Sequence, residues 1–122
     1  MSTNGANNIL IATHQNAIRC CLGDLGLYNG KFFGLLDAEQ KFKVANGSII
    51  KLHFQRQNNE ITGFGQFMFA GLMPGKKHIS VANPQAYFIT YDKIQQFLET
   101  ISFKSTWNSM TVWLIRHGKG YH

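Results

Sequence analysis

Continuous apolar stretches near the two ends of the chain predict two buried strands. Residues 8–13 run Asn-Ile-Leu-Ile-Ala-Thr, and residues 110–116 run Met-Thr-Val-Trp-Leu-Ile-Arg. A continuous apolar run of this length is typical of a strand inside an α/β sheet that helices cover on both sides. We therefore expect 8–13 to be buried on both faces and 110–116 to be a second buried strand.

Further along the chain the pattern changes to alternation, which predicts a half-buried hairpin. The stretch 47–56 alternates, with Ile50, Leu52 and Phe54 on one side and Ile49, Lys51, His53 and Gln55 on the other. The polar residues 57–60 predict a hairpin turn, and 61–69 forms the second strand. Gly63 and Gly65 indicate either a bulge or a close backbone approach.

Helical spacing predicts two helices. Asp92 is a good amino-terminal cap, and one buried face with i, i+3, i+4, i+7 spacing follows it, formed by Ile94, Phe97, Leu98 and Ile101. We expect a helix over 92–102 and a shorter one over 16–22. Residues 84–91 are ambiguous, although Asn83-Pro84 favours a turn.

Composition is typical of a single globular domain over 1–122, with a polar, flexible start at 1–7. The apolar fraction is 44%, and no apolar run approaches the roughly 20 residues that span a bilayer. The start also lacks the basic-then-apolar pattern of a signal peptide. We therefore expect a cytoplasmic protein without membrane contact.

The net charge of +6 raises the question of nucleic acid binding. The basic residues are scattered singly, and Lys76-Lys77 is the one adjacent pair. No basic run and no zinc-finger or RNA-recognition motif occurs, which argues against a nucleic acid partner. A small anionic ligand or simple solubility explains the excess charge equally well.

Cysteine usage indicates a reduced protein without a metal site. Cys20 and Cys21 are adjacent on the predicted helix, where a bridge between them would be strained. We expect both to be reduced thiols facing the core. No Cys-x-x-Cys or His-x-x-x-His spacing occurs, so neither a metal nor another cofactor is expected.

The most informative chemistry follows the strand 110–116, which ends in Arg116-His117-Gly118. Arginine offers a planar fork of donors that matches phosphate, and histidine acts as a nucleophile or base. The glycine lets the backbone turn sharply beside a ligand. This combination predicts a phosphate site where the sheet opens to solvent.

Residues 114–122, Leu-Ile-Arg-His-Gly-Lys-Gly-Tyr-His, resemble the signature that opens the histidine phosphatase superfamily, the phosphoglycerate-mutase-like proteins. The resemblance implies that His117 is phosphorylated and that Arg116 clamps the phosphoryl group, with Gly118 beside it. It also places His122 near the pocket rim. The ligand implied is phosphate or a phosphorylated small molecule.

A second stretch, residues 8–19, resembles the strand–histidine–helix turn that carries the second catalytic histidine of the same family. His14 matches that histidine, and Gln15 stands where the family usually has glycine, next to the phosphate. Arg19, one turn into the helix, either points at a bound anion or is solvated or paired with a carboxylate. Residues 46–52 resemble the strand that follows in the family.

The order of these matches is permuted, because the family runs Arg-His-Gly first and the second histidine last. The resemblance covers about residues 8–70 and 110–122, so the chain resembles a permuted and truncated member. The family's middle section, with a second arginine and an acidic general acid, has no counterpart here. None of the acidic residues, namely Asp24, Asp37, Glu39, Glu60, Asp92 and Glu99, occupies a matching motif. We expect phosphate binding with weak or no phosphoryl transfer.

The resemblance implies an α/β fold with a small mixed, mostly parallel sheet flanked by helices. The expected strand order is 8–13, 110–116, 47–56, 61–69. Strand 110–116 is expected to run parallel to both neighbours, with 61–69 antiparallel at the edge. The carboxyl ends of 8–13 and 110–116 would then lie side by side, and His14 and His117 would line the same crevice.

Two other interpretations stay open. In the first, the chain is a non-catalytic phosphate-binding or self-associating interaction module, since strand 8–13 would form an exposed edge that favours a homo-oligomer. Alternatively, it is an unrelated small basic α/β protein whose histidine motifs are coincidental. Whether the chain is a phosphatase fragment or a phosphate-binding module, the expected site contains no metal. Its residues are His117, His14, Arg116, Gln15 and Gly118, with Arg19 and His122 as further candidates.

Overall fold

A computed structural model describes residues 6–28, 32, 47–69, 85–100 and 107–117. This part of the chain forms one five-stranded sheet and two helices. In chain order the elements are β1 (Ala6–Thr13), α1 (Gln15–Asp24), β2 (Ile49–Gln57), β3 (Glu60–Phe69), β4 (Tyr87–Ile89), α2 (Tyr91–Thr100) and β5 (Ser109–Arg116). Neither of these helices has the length and apolar content needed to cross a membrane.

The strand order of the sheet is β1-β5-β2-β3-β4. β5, the last strand that the structure describes, lies between β1 and β2, as predicted. It runs parallel to β1 in continuous register, from Ala6 opposite Ser109 to Thr13 opposite Arg116. The carboxyl ends of the two strands therefore lie side by side, and β1 begins two residues earlier than expected, inside the segment predicted to be flexible.

The expectation of a mostly parallel sheet is wrong. β2 runs antiparallel to β5, with Ile49 opposite Ile115 and Gln55 opposite Ser109, so that β1–β5 is the one parallel pair in the described sheet. The reason is that alternation of apolar side chains looks the same in both strand directions. The pattern of 47–56 therefore predicted which face is buried and left the direction open.

The strand 61–69 was expected to form the edge of the sheet, but a further strand pairs with part of it. β4 pairs antiparallel with Gly63–Gly65 of β3, so β3 is an interior strand over those three residues. β4 falls within 84–91, the stretch whose pattern was ambiguous. A three-residue strand is too short for period-two alternation to stand out from its surroundings.

The helix boundaries differ from the predicted ones by one to two residues. α1 extends to Asp24, and the N–H of Leu25 closes its last turn on the Cys21 carbonyl at 3.0 Å. α2 begins at Tyr91, where the N–H of Ile94 bonds to the Thr90 carbonyl at 3.0 Å. Asp92 therefore lies in the first turn rather than at the cap, where its charge still favours the helix dipole.

The predicted turn between β2 and β3 is confirmed. Asn58 and Asn59 have φ of 53° and 67°, the left-handed values of a two-residue type I′ turn. Asparagine tolerates this conformation better than most residues. This turn sets the pairing of Gln57 with Glu60 and the register of most of the hairpin.

The core lies on one face of the sheet. The predicted inward set of β2 is fully buried, and alternate residues of β5 continue it: Ile50, Leu52, Phe54, Met110, Val112 and Leu114. Both helices contribute buried side chains to the same cluster, namely Ile18, Leu22, Ile94 and Phe97. Phe54 stacks on Phe97 with ring centroids 5.7 Å apart.

The expectation that 8–13 is buried on both faces is wrong. Leu10 is 67% exposed, and its neighbours on that face, Asn8 and Ala12, are exposed as well. Ile9 and Ile11, on the opposite face, are half-buried against the core. The reason is that both described helices contribute to the core on the same face of the sheet.

The two glycines of β3 mark a close approach. A Cβ on Gly63 would lie 2.6 Å from Phe54 Cδ1, and one on Gly65 would lie 2.6 Å from Leu27 Cδ1. Larger side chains would collide with the core at both positions. The irregularity in register falls elsewhere, between Ile49 and Ile50.

The adjacent cysteines are both free thiols in different surroundings. Cys20 is exposed, which makes the expectation that it faces the core wrong, whereas Cys21 is partly buried. Burial, followed by the charges of Asp24 and Cys20, raises the pKa of the Cys21 thiol to about 12. The difference arises because neighbouring helical residues point in different directions.

We expect alkylation with iodoacetamide at pH 8 to modify Cys20 and largely spare Cys21. The thiolate is the reactive species, and a pKa of about 12 leaves about one Cys21 thiol in ten thousand ionised at pH 8. Intact mass spectrometry should show a single rapid adduct. In Cys20→Ser that rapid adduct should disappear, and a Cys21 adduct forming equally fast would contradict the prediction.

Candidate functional site

The candidate site lies where β1 and β5 end together. Thr13 and Arg116 are the last paired residues, and a histidine follows each of them. The rings of His14 and His117 are in edge contact, with centroids 4.7 Å apart and planes at 74°. The prediction that these two residues lie close together is confirmed.

Backbone hydrogen bonds hold the two histidines in place. The N–H of His117 donates to the Thr13 carbonyl at 3.4 Å, which extends the β1–β5 pairing by one residue. The His14 carbonyl accepts the N–H of Ile18 at 3.2 Å, the first bond of α1. His14 is thus the amino-terminal cap residue, with extended backbone and without a side-chain capping bond.

Because α1 begins at this point, its first turn faces the site with N–H groups that have no acceptor within the helix. These groups belong to Gln15, Asn16 and Ala17, which precede the first helical bond. The aligned peptide dipoles add partial positive charge here. No acidic residue lies in the first turn to neutralise it.

The backbone of Arg116 is held from the other side by the loop before β2. Its N–H donates to the Ser48 carbonyl at 3.1 Å, and its carbonyl accepts the N–H of Gly47 at 2.8 Å. Gly47 has φ of 80°, a left-handed value that glycine adopts readily. Ser48 is fully buried, so this clamp is part of the folded core.

Arg116 lies on the core side of β5. By strand alternation its side chain shares the face of Leu114, which is the face that carries the core. Neither β1 nor β5 contains an acidic residue. Arg116 and the amino-terminal end of α1 therefore lie at the same corner of the sheet, and the two strands that form this corner carry no carboxylate.

The groups at this corner are of the kinds that bind oxyanions in other proteins. Arg116 offers a rigid fork of donors, and helix N-termini bind phosphate and sulfate through free N–H groups. His14 and His117 are both exposed, so a ligand can reach their rings. Among the described residues no group of three or more His, Cys, Asp or Glu is placed to hold a metal ion.

Not all of the predicted site residues come together. The Arg19 guanidinium lies over the Tyr28 ring, 5.4 Å from its centroid, an arrangement that none of the three alternatives included. A cation over an aromatic face is a structural contact in its own right. Gly118 and His122 lie outside the described residues.

His53 is packed on the opposite face of β2 from the core. Its Nδ1 shares a hydrogen bond of 3.0 Å with Thr111 Oγ1, and its ring lies 5.4 Å from that of Phe64. Burial, followed by the charge of Lys51, lowers the pKa of His53 below its usual value. It is a structural residue rather than part of the site.

Reasoning from sequence did not identify Gly47 and Ser48, which clamp the backbone of Arg116. The Asn46-Gly47 dipeptide is a turn signal and is the feature that could have drawn attention to this loop. The strand that this loop contacts is β5, however, which lies far away along the chain. The pairing becomes visible only in three dimensions.

Comparison with known proteins gives no match: none to a protein-family model, none to a curated protein and none to a solved structure. The resemblance to the histidine phosphatases therefore rests on the sequence motifs alone.

Proposed function

We propose that the corner formed by His14, Arg116 and His117 binds phosphate or a phosphorylated small molecule, as a phosphoglycerate-mutase-like histidine phosphatase fragment. The observation that carries the proposal is the edge contact between the two imidazoles, 4.7 Å apart, which come from the two ends of the chain. The motifs that resemble the family's two catalytic histidines contain these same residues.

Each group has a role in this proposal. Arg116 and the first N–H groups of α1 hold the equatorial oxygens of the phosphoryl group. His117 is the nucleophile towards phosphorus, and His14 neutralises the charge that develops on the oxygens. Gln15, where glycine is usual in the family, contributes its backbone N–H to the same cradle.

Turnover by this corner is expected to be weak or absent. A departing alcohol needs a proton, and loss of a general acid typically lowers a rate by about 10²–10⁴. The described carboxylates lie on other parts of the fold: Asp24 ends α1, Glu60 begins β3, and Asp92 and Glu99 lie on α2. The proposal is therefore phosphate binding without efficient phosphoryl transfer.

The test is a titration of the protein with inorganic phosphate, in which binding is measured by ³¹P NMR and by calorimetry. Because hydrogen bonds to a charged group contribute about 1.5–3 kcal/mol, His14→Ala and His117→Ala should each weaken phosphate binding by about tenfold or more. His53→Ala is the matched control, since it removes an imidazole from β2, away from this corner, and should leave the affinity unchanged. Equal affinity in all four proteins would contradict the proposed site.

A second measurement addresses the chemistry. Hydrolysis of para-nitrophenyl phosphate should be slow or undetectable, and any residual rate should disappear in His117→Ala. Rapid hydrolysis that depends on His117 would contradict the proposed lack of turnover while supporting the site. Hydrolysis that persists in His117→Ala would contradict the assignment of the nucleophile.

A further inference from the structure

β1 occupies one edge of the sheet and has a regular backbone there. It pairs with β5 alone, over all eight of its residues and with no shift in register. Among the residues that the structure describes, no strand pairs with its outer edge. Such an edge offers a row of N–H and C=O groups that another strand can bind.

The sequence of β1 lacks the features that normally prevent an edge strand from pairing with a strand of another molecule. Soluble proteins protect edge strands with lysine, proline, a bulge or an inward charge. β1 reads Ala-Asn-Asn-Ile-Leu-Ile-Ala-Thr and has none of them, although the chain contains 12 lysine and arginine residues. Leu10, at the middle of the strand, is 67% exposed. The edge is therefore uncharged, regular and apolar at its centre.

We propose that β1 is a homodimer interface, at which two copies pair antiparallel across a two-fold axis with Leu10 opposite Leu10. This register follows from the side chains. It places Ile9 opposite Ile11 of the other copy, and the polar and small residues at the strand ends opposite each other. A shift in either direction to the neighbouring two-fold register would put Leu10 opposite Asn8 or Ala12 and lose the apolar match.

The two-fold arrangement also suits the rest of the fold. An antiparallel pair of identical edge strands closes with two copies and leaves no further edge of that kind. With the axis perpendicular to the sheet, the half-buried Ile9 and Ile11 of both copies lie on the same side and extend the core face. The result is one continuous sheet built from two five-stranded sheets.

The association is expected to be weak and sensitive to salt. A single pair of strands buries less surface than the roughly 1,200 Å² of a standard stable interface. Each copy carries a net charge of +6, so the two copies repel each other at low ionic strength. The dimer population should therefore rise with both protein concentration and salt.

The first test is light scattering on the full chain across a concentration series. The wild-type mass should rise from 13.8 kDa towards twice that value. Leu10→Lys places a charge on the edge and should weaken association at least about tenfold. Phe88→Lys is the matched control, because Phe88 is 83% exposed on β4 at the opposite edge and should leave association unchanged. A wild-type mass that stays at 13.8 kDa throughout would overturn the proposal.

The second test fixes the register and does not depend on a destabilising charge. In a Cys20→Ser background, Leu10→Cys should oxidise to a cross-linked dimer, because directly opposed residues have Cβ atoms about 4.5–5.5 Å apart. Ala12→Cys, exposed on the same face, should cross-link far more slowly, since it lies opposite Asn8. Equal rates for the two variants, or faster cross-linking of Ala12→Cys, would refute this register. Neither outcome bears on phosphate binding.

Discussion

Replacing Phe54 with alanine is expected to lower the free energy of unfolding by about 3–5 kcal/mol. Phe54 is fully buried at the centre of β2, where its ring stacks on Phe97 of α2 and lies against the backbone of Gly63. The ring therefore fills the space between two strands and a helix. The total free energy of unfolding of a small domain is about 5–15 kcal/mol, so this loss is a large share of the stability.

Urea unfolding followed by circular dichroism measures this loss. Gln55→Ala is the matched control, since Gln55 is the exposed neighbour on the same strand and should change stability by no more than about 0.5 kcal/mol. Gly63→Ala should destabilise the wild type, because its Cβ would meet the Phe54 ring, and should cost less once that ring is gone. A loss below about 1 kcal/mol for Phe54→Ala would contradict this account of the core.

Replacing Arg116 with alanine is expected to weaken phosphate binding about 10- to 150-fold, the equivalent of about 1.5–3 kcal/mol for a charged hydrogen-bonding group. The fold should survive, because the bonds to Ser48 and Gly47 come from the backbone of Arg116. Arg116→Lys should recover only part of the affinity, since lysine keeps the charge and loses the planar fork.

The measurement is the phosphate titration used for the histidine variants, with unfolding monitored in parallel. Arg19→Ala is the control, since it removes the same charge from a guanidinium that stacks on Tyr28. Its effect on phosphate affinity should be small. If both arginine variants weaken binding equally, the general positive charge rather than the position of Arg116 governs affinity, and the proposed role of Arg116 is wrong.

Much of the local structure was predictable because it depends on short-range rules. Alternation in 47–56 placed Ile50, Leu52 and Phe54 together on the side that is buried, and the polar residues 57–60 predicted the turn that joins β2 to β3. The spacing from Ile94 to Phe97 predicted α2. These features follow from side-chain periodicity and backbone preference, which act over a few residues.

The candidate site was predictable in part. The strand order implied by the resemblance led to the expectation that the rings of His14 and His117 lie close together, and they do. The clamp by Gly47 and Ser48 and the stacking of Arg19 on Tyr28 were not predictable. Both depend on which distant segments become neighbours.

The sequence by itself determined where four of the five described strands and both described helices lie, and which apolar side chains of β2 share one side. Only the tertiary structure decided that β2 runs against β5, that β4 covers part of β3, and that β1 is buried on one face alone. The physical reason is that side-chain periodicity is identical in both strand directions, whereas direction, edge position and coverage depend on how distant segments of the chain pack together.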